Sequence, residues 1–92
     1  MNSSLIANIK AAIKQYNYYR SPEAVAKLIT VTDNIIKVEF TGTSFCFSCG
    51  LYDWFDDLRY ELIDFIKKKI EITKVTVSEN EEKFIVEFEI KD

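Results

Sequence analysis

The chain has no histidine, one proline, two glycines and two cysteines in 92 residues. The missing histidine excludes most. Histidine is the usual general base near neutral pH and the commonest metal ligand, so Ser/His/Asp and Cys/His triads, HExxH zinc sites and two-cysteine, two-histidine fingers are all ruled out. The chain also lacks any run of the roughly 18 apolar residues a membrane span needs. Met1 to Lys10 lacks the charged-then-apolar layout of a secretory leader. These absences lead to the expectation of a cytoplasmic protein with reduced cysteines and no membrane partner. A formal charge of −3 argues against a domain built to clamp a phosphate backbone, so nucleic acid is not the expected partner.

What is present is 48% hydrophobic, 14% aromatic and 29% charged, the composition of one compact domain spanning residues 1–92. A chain of this size buries roughly 60 to 65% of its unfolded surface, enough for one core.

Leu5, Ile9, Ala12, Ile13 and Tyr16 recur at spacings of three and four and predict an amphipathic helix over Ser4–Tyr19. Pro22 ends it, and residues 22–27 read equally as a short helix or an extended segment, with a strand expected by Leu28. Leu28–Thr32 and Ile35–Thr41 are rich in β-branched residues, and Ile36, Val38 and Phe40 alternate with Lys37, Glu39 and Thr41. Asp33 and Asn34 tolerate left-handed backbone and predict a tight hairpin. A second helix is predicted over Asp53–Lys69, with Asp53, Asp56 and Asp57 at its start and Lys67, Lys68 and Lys69 at its end, as the helix dipole favours. Ile72–Ser78 and Lys83–Lys91 predict a last hairpin around residues 79–82, with Phe84, Val86, Phe88 and Ile90 inward.

Laid on itself at half its length, the chain matches across periodic elements and a loop. Leu5, Ile9, Ala12 and Tyr16 fall on Leu51, Phe55, Leu58 and Leu62, and Ile29–Asn34 falls on Val75–Asn80. Allowing two more residues in the second loop, Val38–Phe40 falls on Val86–Phe88. The expected architecture is an α+β two-layer sandwich, α-β-β-α-β-β, with a four-stranded antiparallel sheet and both helices on one face, built from two repeat units, 1–46 and 47–92.

The joint between the halves holds both cysteines as Cys46-Phe47-Ser48-Cys49. This spacing lets two sulfurs reach one metal or each other. A closed tetrahedral site wants four donors, and without imidazole the chain reaches four thiolates by pairing Cys46 and Cys49 with those of a second copy. A homodimer sharing an iron-sulfur cluster or zinc is therefore one expectation. A second is a non-enzymatic accessory module whose cysteines are structural and whose protein partner meets Tyr52, Asp53, Trp54, Asp56 and Asp57, with Tyr18 and Tyr19 as a further exposed aromatic pair. A third is a dithiol redox protein. Asp53, Asp57, Glu61 and Asp64 form an acidic stripe best read as a solvated helix face, so no catalytic residue is assigned.

Ile36-Lys37-Val38-Glu39-Phe40-Thr41-Gly42, then Cys46-Phe47-Ser48-Cys49, then Tyr60-Glu61-Leu62 and Ile70-Glu71-Ile72-Thr73-Lys74-Val75 follow the order of a known family. In that order the chain resembles the C-terminal NifU-like domain, the Nfu-type iron-sulfur scaffold. The resemblance implies that Cys46 and Cys49, paired across a dimer, hold a [4Fe-4S] cluster for delivery to apoproteins.

Overall fold

The computed structural model describes residues 3–21, 24–42, 51–77 and 83–91. The elements run α1 (Ser3–Arg20), β1 (Val25–Thr32), β2 (Ile35–Thr41), α2 (Leu51–Ile66), β3 (Lys69–Val77) and β4 (Phe84–Lys91). They form the α+β sandwich that the hydrophobic periods predict. Phe40, Val38 and Ile36 on β2 and Phe84, Val86, Phe88 and Ile90 on β4 are buried, and they share one core with Ile9, Ala12 and Tyr16 of α1 and Phe55, Leu58 and Leu62 of α2. Both helices therefore lie on the same face of the sheet.

Strand order is β1-β2-β4-β3, all antiparallel, so the last strand in sequence is central. The β2–β4 register is symmetric about the facing pair Val38 and Val86, with Ile36 opposite Phe88 and Phe40 opposite Phe84. The outer strands each carry a bulge, between Leu28 and Thr30 in β1 and between Ile72 and Lys74 in β3. Bulges bend and twist an edge away from further pairing. On the uncovered face β2 and β4 present Lys37, Glu39, Glu87, Glu89 and Lys91 beside Ile35 and Ile85, so that side is largely charged.

Several boundaries move from their predicted places for local reasons. Strand β1 begins at Val25, three residues before the predicted start, because α1 and β1 are tied together at their junction. Asn17 donates from Nδ2 to the Ala26 carbonyl at 2.9 Å and accepts the Ala26 N–H at Oδ1 at 2.7 Å. The side-chain amide thus copies a strand partner for one residue of the edge. Helix α2 ends at Ile66 rather than Lys69, because Lys67 takes a left-handed φ of 65° and its N–H closes on the Ile63 carbonyl at 2.8 Å. The lysines consequently sit beyond the last turn, and Lys69 opens β3. Asp33 takes φ 51° in the β1–β2 turn, as expected, and Gly42 at φ 150° occupies backbone that a Cβ disfavours. The predicted turn at residues 79–82 lies outside the described residues.

Phe40 is the hub of the core. Its ring lies 5.8 Å from Tyr16 at 85°, 4.8 Å from Phe55 and 6.4 Å from Phe88, so it touches both helices and the neighbouring central strand. Truncating so large a buried ring leaves a cavity, and Phe40→Ala is expected to lose about 3–5 kcal/mol by urea unfolding. Asn17→Ala leaves the Ala26 N–H and carbonyl without their partner and is expected to lose about 1–3 kcal/mol in the same measurement.

Candidate functional site

The polar side chains that come together lie on the helical layer. Gln15, in the fourth turn of α1, donates from Nε2 to Glu61 Oε1 on α2 at 2.9 Å, across a separation of 46 residues. Arg20, at the end of α1, reaches the same helix with Nε 3.4 Å from Asp57 Oδ2 and Nη1 3.7 Å from Glu61 Oε2. Its guanidinium also lies 4.6 Å from the Tyr16 ring centroid. Nη1 is buried and, among the described residues, has no hydrogen-bond partner, so its interaction with Glu61 is an ion pair at long range. Such partly exposed pairs contribute on the order of 0–1 kcal/mol each; their main effect is to fix how α1 and α2 sit against one another.

Tyr16 anchors this seam from below. Its ring is in the core and its hydroxyl donates to the Trp54 carbonyl at 3.0 Å, which satisfies the buried oxygen and holds the first turn of α2 to α1. Burial pushes the Tyr16 hydroxyl well above the ordinary tyrosine value of 10.0, nearby Arg20 lowers it in part, and Asp57 raises it.

Helix α1 turns a different surface outward. Tyr18 is 80% and Tyr19 70% exposed, with the rings edge to face at 5.0 Å. With Ala11, Lys14 and Gln15 they line a shallow depression of about 280 Å³. The helix carries Lys10, Lys14 and Arg20 and no acid. On α2, Arg59 joins Asp56 at 3.1 Å, donates to the Ile70 carbonyl of β3 at 3.2 Å and covers the Tyr60 ring at 4.7 Å.

The sequence-predicted partner residues thus separate into different settings. Tyr18 and Tyr19 are exposed together, while Trp54 is half-buried against the core. Asp56 is held by Arg59, and Asp57 and Glu61 of the acidic stripe are held by Arg20, so the stripe is not simply a solvated face. Tyr52 and Asp53 fall within α2, but their side chains lie outside the described residues, as do Cys46 and Cys49 entirely. Among the described residues no group of three or more Cys, Asp or Glu is placed to hold a metal ion. Sequence reasoning missed Arg20 and Gln15 as the links between helices. The one signal for them was numerical, since Gln15 and Glu61 stand a half-length apart.

No family model matches the sequence, and no curated protein matches it. A solved structure described as "Probing the function of heme distortion in the H-NOX family" matches the fold with a TM-score of 0.54 at 15% identity, over 96% of this chain and 48% of that one. The likeness therefore concerns the fold alone, and the chain spans about half the length of that protein. These findings overturn the resemblance to the Nfu-type scaffold. The sheet explains why the motif order misled: β4, which lies beyond the matched order, is a central strand paired on both sides.

Because the Tyr16 hydroxyl is held protonated in the folded state, the unfolded chain releases that proton first as pH rises past 10.0, and stability falls from there upward. Urea midpoints measured from neutral pH into the alkaline range are expected to decline less steeply for Tyr16→Phe than for the parent, although the variant starts lower by the lost bond to Trp54.

Proposed function

We propose that the protein is a non-enzymatic binding module whose helical layer meets a protein partner. The observation that carries this reading is the exposed Tyr18–Tyr19 pair on an acid-free helix, beside a shallow apolar depression. Tyrosine offers large contact area at small entropic cost and is enriched where proteins meet. The depression is shallow and admits one side chain rather than a whole small molecule, whose pockets are typically about 300 Å³ or larger and enclosing. The other sheet face supports a binding role less well, because several of its charges are paired among themselves: Lys83 with Glu39, and Lys91 with Glu71 and Glu89.

Protein is favoured over nucleic acid as partner because the chain as a whole is acidic and the tyrosine face offers two lysines and no phosphate-clamping arginine fork.

A photo-crosslinking side chain at Lys14, introduced in the living cell, is expected to trap a discrete protein adduct. The same group at Lys37 on the uncovered sheet face is expected to trap none. Tyr18→Ala with Tyr19→Ala is expected to remove the Lys14 adduct while shifting the stability of the folded chain by no more than about 0.5 kcal/mol, as exposed positions do. Equal adducts from Lys14 and Lys37, or none from either, would overturn the reading.

A further inference from the structure

We infer that the helical layer binds the helical layer of a second copy, with α1 of each chain seated on α2 of the other. The inference rests on the helical layer being the contact surface and adds what covers it.

Its basis is a charge difference between positions that the fold makes equivalent. Two pairs of residues meet their own counterparts: Val38 faces Val86 across the central strands, and Gln15 bonds Glu61 across the helices. An approximate two-fold relation between the halves thus runs through the sheet and the helical layer, and it matches each position of α1 with the one 46 residues later in α2. Three buried positions obey it, as Ile9, Ala12 and Tyr16 correspond to Phe55, Leu58 and Leu62, all fully buried, while buried Ile13 departs from it by corresponding to the partly exposed Arg59. Outward positions break it in one direction. Lys10 corresponds to Asp56, Lys14 to Tyr60 and Tyr18 to Asp64. The outer face of α1 is therefore cationic and aromatic, and that of α2 carries Asp56 and Asp64 around an exposed Tyr60, 57% accessible, with Arg59 over its ring as the one cation.

A surface with one positive half and one negative half complements itself only if the halves exchange. When two such layers stack, a two-fold axis parallel to the helices sets α1 over the partner's α2 twice, whereas an axis across them sets lysines over lysines and carboxylates over carboxylates. Like charges brought together this way oppose association, so electrostatics selects the first arrangement. Lys10 and Lys14 are exposed and form no ion pair among the described residues, and neither does Asp64. They are the groups available to a second chain. Asp56 already holds Arg59, so its contribution is partly satisfied within the chain.

The area sets the strength. Two helices of this length, about 27 Å by 20 Å together, cover on the order of 500 Å² per copy. The total near 1,000 Å² stands at the low end for specific association. A reversible, concentration-dependent and salt-sensitive dimer follows, since exposed ion pairs are screened by salt.

Sedimentation equilibrium of the full chain from about 1 μM to about 1 mM at low salt tests this. The mass is expected to rise from 10.7 kDa to twice that value and to fall back at high salt. Lys10→Glu with Lys14→Glu turns α1 acidic, and Asp56→Lys with Asp64→Lys turns α2 basic. Each double variant alone is expected to dimerise more than tenfold more weakly than the parent. Their equimolar mixture is expected to recover the dimer, because each altered helix then meets a complementary one. Circular dichroism checks that the variants fold, and Asp64→Lys alone replaces the second variant if the loss of the Asp56–Arg59 pair disrupts it. A parent that stays monomeric throughout, or folded variants whose mixture gains nothing, would sink the proposal. A monomer that still gives the Lys14 adduct with another protein removes the second copy and leaves the binding reading standing, whereas a monomer without any adduct removes both.

Discussion

The pairing of β2 with β4 is the constraint on which the remaining structure depends. It joins the two halves of the chain through one antiparallel ladder and lines up Ile36, Val38 and Phe40 with Phe88, Val86 and Phe84 on one face. A slip of one residue in either strand would send that strand's apolar side chains to the uncovered face and replace them with Lys37 and Glu39 or with Glu87 and Glu89. The apolar face thereby fixes the register, and the register fixes where both helices must lie to keep Phe40 in contact with Tyr16 and Phe55.

The helices are then oriented by polar contacts at the edge of that core. Tyr16 has its ring in the apolar layer and its hydroxyl on the Trp54 carbonyl, so one side chain connects hydrophobic packing to the start of α2. Gln15 and Arg20 add directional contacts to Glu61 and Asp57 along the same seam. None of these exposed or half-exposed pairs supplies much stability; together they determine which residues of the helical layer point outward. The exposure of Tyr18 and Tyr19 is a consequence, because the seam uses Gln15, Tyr16 and Arg20 and leaves the next positions to solvent.

Much of this was legible in the residues, and the gaps have definite causes. Alternation in β2 and β4 identified their buried faces, and three- and four-residue spacing in α1 separated Tyr16 from the exposed Tyr18 and Tyr19. The predicted end of α2 lies three residues past the observed one because Lys67, Lys68 and Lys69 suit a helix end by charge, while a left-handed Lys67 ends the helix earlier. The early start of β1 depended on Asn17 supplying an amide to Ala26, which no period announces. The C-x-x-C at residues 46–49 is the densest chemical signal in the chain, and the family resemblance that it carries is overturned by the comparison of whole folds.

By itself the sequence determined the order of elements, the inward faces of the central strands and the identity of the core, because each follows from local periods of two or 3.6 residues and from the need to bury apolar area. The tertiary structure alone decided that β4 lies between β2 and β3, that Asp57 and Glu61 answer to Arg20, and that a cationic α1 lies beside an acidic α2. Those facts join residues dozens of positions apart. Periodicity states which side of an element is apolar but not which other element will cover it, and that choice is made when the whole core closes.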